Sequence, residues 1–203
     1  MDVEDLQDWE LENLGPGERI NRMLQANTDV KNPEQTTLIL FSITNHQELR
    51  LFIYRMITAA FSKDTWADGT GADFISKFRL LSMGIHIAYK MNSDRMSNHD
   101  AFPYIHDPKS DAPFSPSSTF LLSNIPPLVS LHEMAAPQIT MRNFFKFLPL
   151  DQWEELLREI EHCALSPVDY RDLNKPYPSL LIFTHLSKLV DALEIVYNGY
   201  RHM

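Results

Sequence analysis

The chain has 203 residues, 44% of them hydrophobic, which suits one domain or two small ones sharing a core. Its single cysteine, Cys163, excludes an intrachain disulfide and a Cys-x-x-Cys zinc site, and points to a reducing, intracellular setting. No apolar run approaches the roughly 18 residues of a membrane span, and the amino terminus lacks a secretory pattern, so a soluble cytoplasmic or nuclear protein with no membrane partner is expected.

The net charge of -9 is concentrated at one end. Asp2, Glu4, Asp5, Asp8, Glu10, Glu12 and Glu18 put seven acids and no base in residues 1–18, leaving 20 acids against 18 bases elsewhere. These acids surround Val3, Leu6, Trp9, Leu11 and Leu14, and Gly15-Pro16 is a helix stop. Seven acids make a poor core, and a Trp among them is costly to leave in water. The expectation is an arm that docks on a partner or on another copy through Leu6, Trp9 and Leu11.

From Asn32-Pro33 to Phe61 the spacing predicts helix, interrupted at Thr44-Asn45, with Leu38, Phe41, Leu49, Phe52, Met56 and Ala59 on one face. Apolar residues on its other faces assign this segment the central place in the core. A second helix is predicted from Ala72 to Met91, where Phe74, Phe78, Leu81, Ile85 and Ala88 step by four and three. Between residues 50 and 95 the charge reverses, with seven bases against four acids.

Residues 92–124 break the pattern, with Pro103, Pro108, Pro113 and Pro116 among Ser, Asn and Asp; a stretch this long without secondary structure marks a functional loop or arm. Phe102, Tyr104 and Phe114 are its candidate docking side chains. Helical signals return after Pro126-Pro127, Pro137 and Pro149, and Ser166-Pro167 caps one further turn. A last long helix follows Pro178: Phe183, Leu186, Val190, Leu193, Tyr197 and Tyr200 alternate steps of three and four, widened by Ile182, Leu189 and Val196. That stripe is too broad for a two-stranded zipper and fits packing inside a domain.

The expected fold is therefore all-α: an irregular multi-helix globular domain with a long Pro-rich loop and an acidic N-terminal arm. Its parts are the arm at 1–18, helical subdomains at 19–91 and 125–203 sharing a core, and the Pro-rich loop or arm at 92–124.

Signals of catalysis are few. "NHDAFPYIHDPKSD" carries His99-Asp100 and His106-Asp107, and a His beside an Asp is the centre of HD-type metal phosphohydrolases. In that family the pair sits on a helix after apolar residues, whereas here polar residues precede His99 and Pro108 follows Asp107 at once. A turn rich in Asp and Asn accounts for the stretch, although His46, His86, Asp151 and Asp169 are available as further ligands. At His132 the zinc-protease pattern fails because Ala136 stands where a second His is needed. "DGTGADF" lacks the strand and lysine of a phosphate loop and fits a helix cap, and Cys163, spaced with Leu156 and Ile160, fits a core position. No catalytic residue, metal ligand or cofactor is assigned.

The leading expectation is a non-enzymatic, helical protein-interaction or assembly protein. The alternative is a nucleic-acid-associated assembly subunit, coat- or nucleocapsid-like, whose basic groove is formed by Arg50, Arg55, Lys77, Arg79, Lys90 and Arg95. A metal-dependent phosphohydrolase using the His-Asp pairs ranks third.

Overall fold

The structure, a computed structural model, describes Val30 and residues 32–97, 128–173 and 177–201, leaving out the side chains at 94–97 and 201. Among the described residues it is all-α, with seven α-helices, one 3-10 turn and no strand. In chain order, α1 spans Pro33–Ile43, α2 His46–Ala60, α3 Gly71–Ser97, α4 Leu131–Ala135, α5 Pro137–Phe147, α6 Leu150–Leu165 and α7 Ser179–Arg201; the 3-10 turn is Tyr170–Leu173.

The helix boundaries have local causes. Asn32 Oδ1 accepts from the Glu34 and Gln35 amides, each at 3.1 Å, and Pro33 fills a first-turn position where its missing N–H costs nothing. The interruption falls at Thr44-Asn45, where Thr44 is extended and Asn45 Oδ1 accepts from the Glu48 amide at 2.9 Å to start α2. Before α3, Gly69 takes φ +114°, a conformation that L side chains resist. Thr70 N–H then donates to Asp73 Oδ2 at 2.9 Å, and Asp73 N–H donates back to Thr70 Oγ1 at 3.1 Å. The Thr70 hydroxyl and amide hold the Asp73 carboxyl below the usual carboxylate range, so "DGTGADF" is a helix cap. Ser130 and Glu133 make the equivalent box for α4. The second helix outruns its expected end at Met91 and reaches Ser97, since no Gly or Pro stops it before Pro103.

One cluster of buried side chains draws on α1, α2, α3, α5, α6, the 3-10 turn and α7, with Phe52, Phe74, Trp153 and Tyr170 among its largest members. Phe144 and Trp153 stack with centroids 4.2 Å apart, and the Trp153 indole donates to the Phe144 carbonyl at 3.2 Å, fixing α5 on α6. The Trp66 amide donates to the Ala164 carbonyl at 2.8 Å, tying the α2–α3 loop to the end of α6. No helix among the described residues is long and apolar enough to cross a membrane.

The centre of the core is shared. Periodicity gives that place to residues 32–61, which pack on α3, α6 and α7, and α7 joins them there: it packs on α1, α2, α3, α4 and α5, and every side chain from Leu189 to Val196 is buried. The break at Thr44-Asn45 makes residues 32–61 two helices with separate inner faces, so Leu38 is exposed while Leu40 is buried. Gly84 of α3 lets α7 come close, since a Cβ there would stand 3.3 Å from Leu193 Cδ1.

Candidate functional site

Along α7, Ser187, Asp191 and Glu194 recur at steps of four and three, which places them on one face. That face packs on α2, where His46 and Arg50 are four apart. All five side chains are buried. His46 Nδ1 lies 2.5 Å from Glu194 Oε1, and Arg50 Nη1 lies 3.4 Å from Asp191 Oδ1. One helical turn further, the rings of Tyr54 and Phe183 meet edge-on at 6.2 Å. Rising numbers on α2 thus meet falling numbers on α7, so the two helices run antiparallel with an ionic seam between them.

The seam also holds a distant stretch of chain. Asp191 Oδ2 accepts the Leu128 amide at 2.8 Å, the Glu133 carboxylate of α4 meets Lys188 Nζ at 3.0 Å, and Val129 and Met134 pack with Ile195 in a small cluster apart from the main core. Burial pushes the Asp191 carboxyl up to about 6, while the Leu128 amide, Arg50 and His46 pull it down and Glu194 adds to the rise. Ser187 Oγ, Asp191 Oδ1 and Glu194 Oε2 make no hydrogen bond among the described residues. Polar atoms held this way cost folding free energy, so what the seam supplies is an internal register between α2, α7 and residues 128–135.

A second polar group faces solvent. A groove of about 150 Å³ between α3 and α6 is lined by Phe78, Ser82, Ile85, His86, Glu154, Leu157 and Arg158. His86 Nε2 and Glu154 Oε1 are 3.3 Å apart at its edge. A Ser, a His and a Glu converge here, but no hydrogen bond joins Ser82 to His86 among the described residues. The Ser82 and His86 amides both lie within α3, so neither is a free donor at the groove.

The arm residues Leu6, Trp9 and Leu11, the loop residues Phe102, Tyr104 and Phe114, and both His-Asp pairs lie outside the described residues. The basic set does not stay together. Arg50 is 4% exposed and turned into the core, because its position on α2 faces α7 and its guanidinium finds Asp191 there. Arg55 Nε reaches Asp68 Oδ2 at 2.7 Å, Lys77 bears on Asp73, and Arg79 bears on Glu161, whose carboxyl burial pushes up and Arg79 pulls down. Lys90 is half-buried on α3, and the Arg95 side chain is outside the described set.

The remaining ligand candidates are dispersed too: His46 turns to Glu194, His86 to Glu154, and Asp169 accepts from the Arg171 amide at 2.9 Å. Asp151 is exposed at the start of α6. Among the described residues, no three His, Cys, Asp or Glu side chains are grouped to hold a metal ion. Cys163 is buried in the core, where burial pushes its thiol up and leaves it inert. Sequence reasoning missed Ser187, Asp191 and Glu194, although their four-and-three spacing on the last helix was a visible signal. Comparison with protein families, characterised proteins and solved structures finds no match for this chain.

Proposed function

We infer that this chain is a non-enzymatic interaction or assembly protein: a helical body that presents its acidic Trp9 segment and Pro-rich loop to a protein partner or another copy. The observation that carries this reading is the composition of residues 1–18, where Val3, Leu6, Trp9, Leu11 and Leu14 stand among seven acids and no base. Such a segment gains most by laying its apolar side chains on another surface while its acids stay wet. The body supports the reading in a second way. Arg50, Arg55, Lys77 and Arg79 each answer to an acid of the same chain, which lowers the local positive potential a phosphate backbone needs.

Full-length protein purified without chelator separates the three readings by its absorbance ratio and elemental analysis. An assembly protein has a protein-like ratio of absorbance at 260 and 280 nm and no stoichiometric metal. Bound absorbance at 260 nm that falls with added salt would move the basic groove into first place. About one transition metal per chain, lost in the His99→Ala, His106→Ala double variant, would replace the reading with the phosphohydrolase.

A further inference from the structure

The outer side of α3 carries an aromatic pair with bases beside it. Ser82, His86 and Tyr89 share that side at steps of four and three. The Tyr89 ring, 43% exposed, meets the half-buried Phe145 of α5 edge-on at 5.4 Å. Arg142 and Lys146, four apart, lie on the same side of α5 as Phe145, and both are exposed. Neither makes an ion pair among the described residues. No acid occurs from Phe74 to Ser93 or from Met134 to Leu150, the stretches that form this edge. The acid that α6 brings towards it, Glu154, faces His86 at 3.3 Å. Across the groove Arg158 stands among Glu154, Glu155 and Glu161 on α6, so that wall is not basic, and the positive edge belongs to α5.

Exposed rings beside unpaired bases suit an acidic peptide with an aromatic side chain, which stacks on the rings while its carboxylates meet the bases. This chain carries such a peptide. Asp8, Glu10 and Glu12 alternate with Trp9 and Leu11, and residues 1–18 hold no base that would repel Arg142 or Lys146. The 21 positions from Trp9 to Val30, the first described residue, span roughly 70 Å when extended, more than the width of a compact body of this size. The segment can therefore reach this edge on its own body or on a neighbour. A phosphate backbone is the poorer match, because it binds through many bases along its length, whereas two suffice to place a short acidic peptide.

We propose that the edge formed by Tyr89, Phe145, Arg142 and Lys146 receives the acidic segment of this same chain, with Trp9 laid on the two rings and Asp8, Glu10 and Glu12 on the two bases. The inference rests on the docking reading of residues 1–18 and names the surface that takes them. Docking on a neighbour's edge joins copies; docking on the chain's own edge closes it.

The test follows amide hydrogen exchange of residues 3–12 in the full chain, with sedimentation for mass and thermal unfolding for the body. The wild type should protect these amides. Arg142→Glu with Lys146→Glu should melt as the wild type does and raise their exchange at least about tenfold, and adding Glu10→Lys with Glu12→Lys should restore protection by exchanging the charges. Should the Arg142, Lys146 variant melt early, Glu10→Lys with Glu12→Lys alone supplies the second readout, since it alters no described residue and should lose the same protection. A wild type whose residues 3–12 exchange as a free peptide overturns the proposal. So does protection that survives both charge reversals, or a single-stranded oligonucleotide that binds through Arg142 and Lys146 while the segment stays unprotected. A protected segment on a monomer would uphold this edge and sink the assembly reading. Association that persists with the segment indifferent to Arg142 and Lys146 would do the reverse.

Discussion

Arg50 and Asp191 face each other at 3.4 Å between α2 and α7, Arg50 4% exposed and Asp191 fully buried. A pair at that separation is long for a charge-assisted hydrogen bond, and burying both ions costs several kcal/mol before their attraction returns any of it. What the pair secures is register: it holds α2 against α7 and, through Asp191 Oδ2, holds the Leu128 amide at 2.8 Å.

Asp191→Ala is expected to lower unfolding free energy by about 3–5 kcal/mol in urea titration, since Arg50 loses the buried carboxylate 3.4 Å away and the Leu128 amide its acceptor. The apolar swap Arg50→Met with Asp191→Leu should be more stable than Asp191→Ala alone. A double variant no better than the single would mean that Arg50 was not held by Asp191.

The same carboxyl gives the fold a pH dependence with a definite sign. Burial raises it from 3.8 to about 6, so the folded state holds its proton more tightly than the unfolded chain does. The stability from this group is complete below pH 3.8 and is lost as pH rises through about 6. Relative to Asp191→Asn, which cannot titrate, the wild type should gain up to about 3 kcal/mol between pH 7 and pH 4. Urea midpoints of both proteins across that range check it; a constant difference would place the carboxyl in water.

Docking of residues 128–135 depends on Glu133. Burial disfavours its carboxylate, but the Ser130 amide and Lys188 outweigh that and hold it below the usual range. Glu133→Gln weakens the capping box and the ion pair by about 1 kcal/mol, which should raise amide exchange in residues 128–135 while α6 and α7 stay protected. Unchanged exchange there would assign the docking to Val129, Met134 and the Leu128–Asp191 hydrogen bond.

Leu193 is buried where α7 crosses Gly84 of α3. An aspartate at this point has no partner, and Leu193→Asp should unfold or aggregate the protein, the cost of several kcal/mol being comparable to half of a domain's typical stability of about 5–15 kcal/mol. Circular dichroism and sedimentation read the outcome; a folded, merely dissociated variant would turn the Leu193 stripe into an interface.

The helical elements were legible because their signals are local. Asn32-Pro33, Asn45, Pro137 and Pro149 mark helix starts, and the steps of four and three from Phe74 to Ala88 mark α3, without reference to the rest of the chain. The buried polar seam was not legible, because a polar residue on a long apolar helix reads as solvent-facing. Asp191 and Glu194 are buried only because α2 offers Arg50 and His46 at matching intervals, a pairing that depends on how two distant helices cross. For the same reason Arg50 read as part of a surface groove. Leu38 misled differently: its place in the periodicity crosses the Thr44-Asn45 break, where helical phase is not conserved.

The central claim, that the acidic Trp9 segment joins this chain to others, is tested most directly by measuring the absolute mass of the full chain and of a chain starting at Gly17 during size-exclusion chromatography. The full chain should run as an assembly of two or more copies and lose that association when its first residues are absent, with helical content and melting temperature nearly unchanged. Equal masses for the two, or a large drop in melting temperature with association intact, would contradict the claim and make the segment part of the folded body.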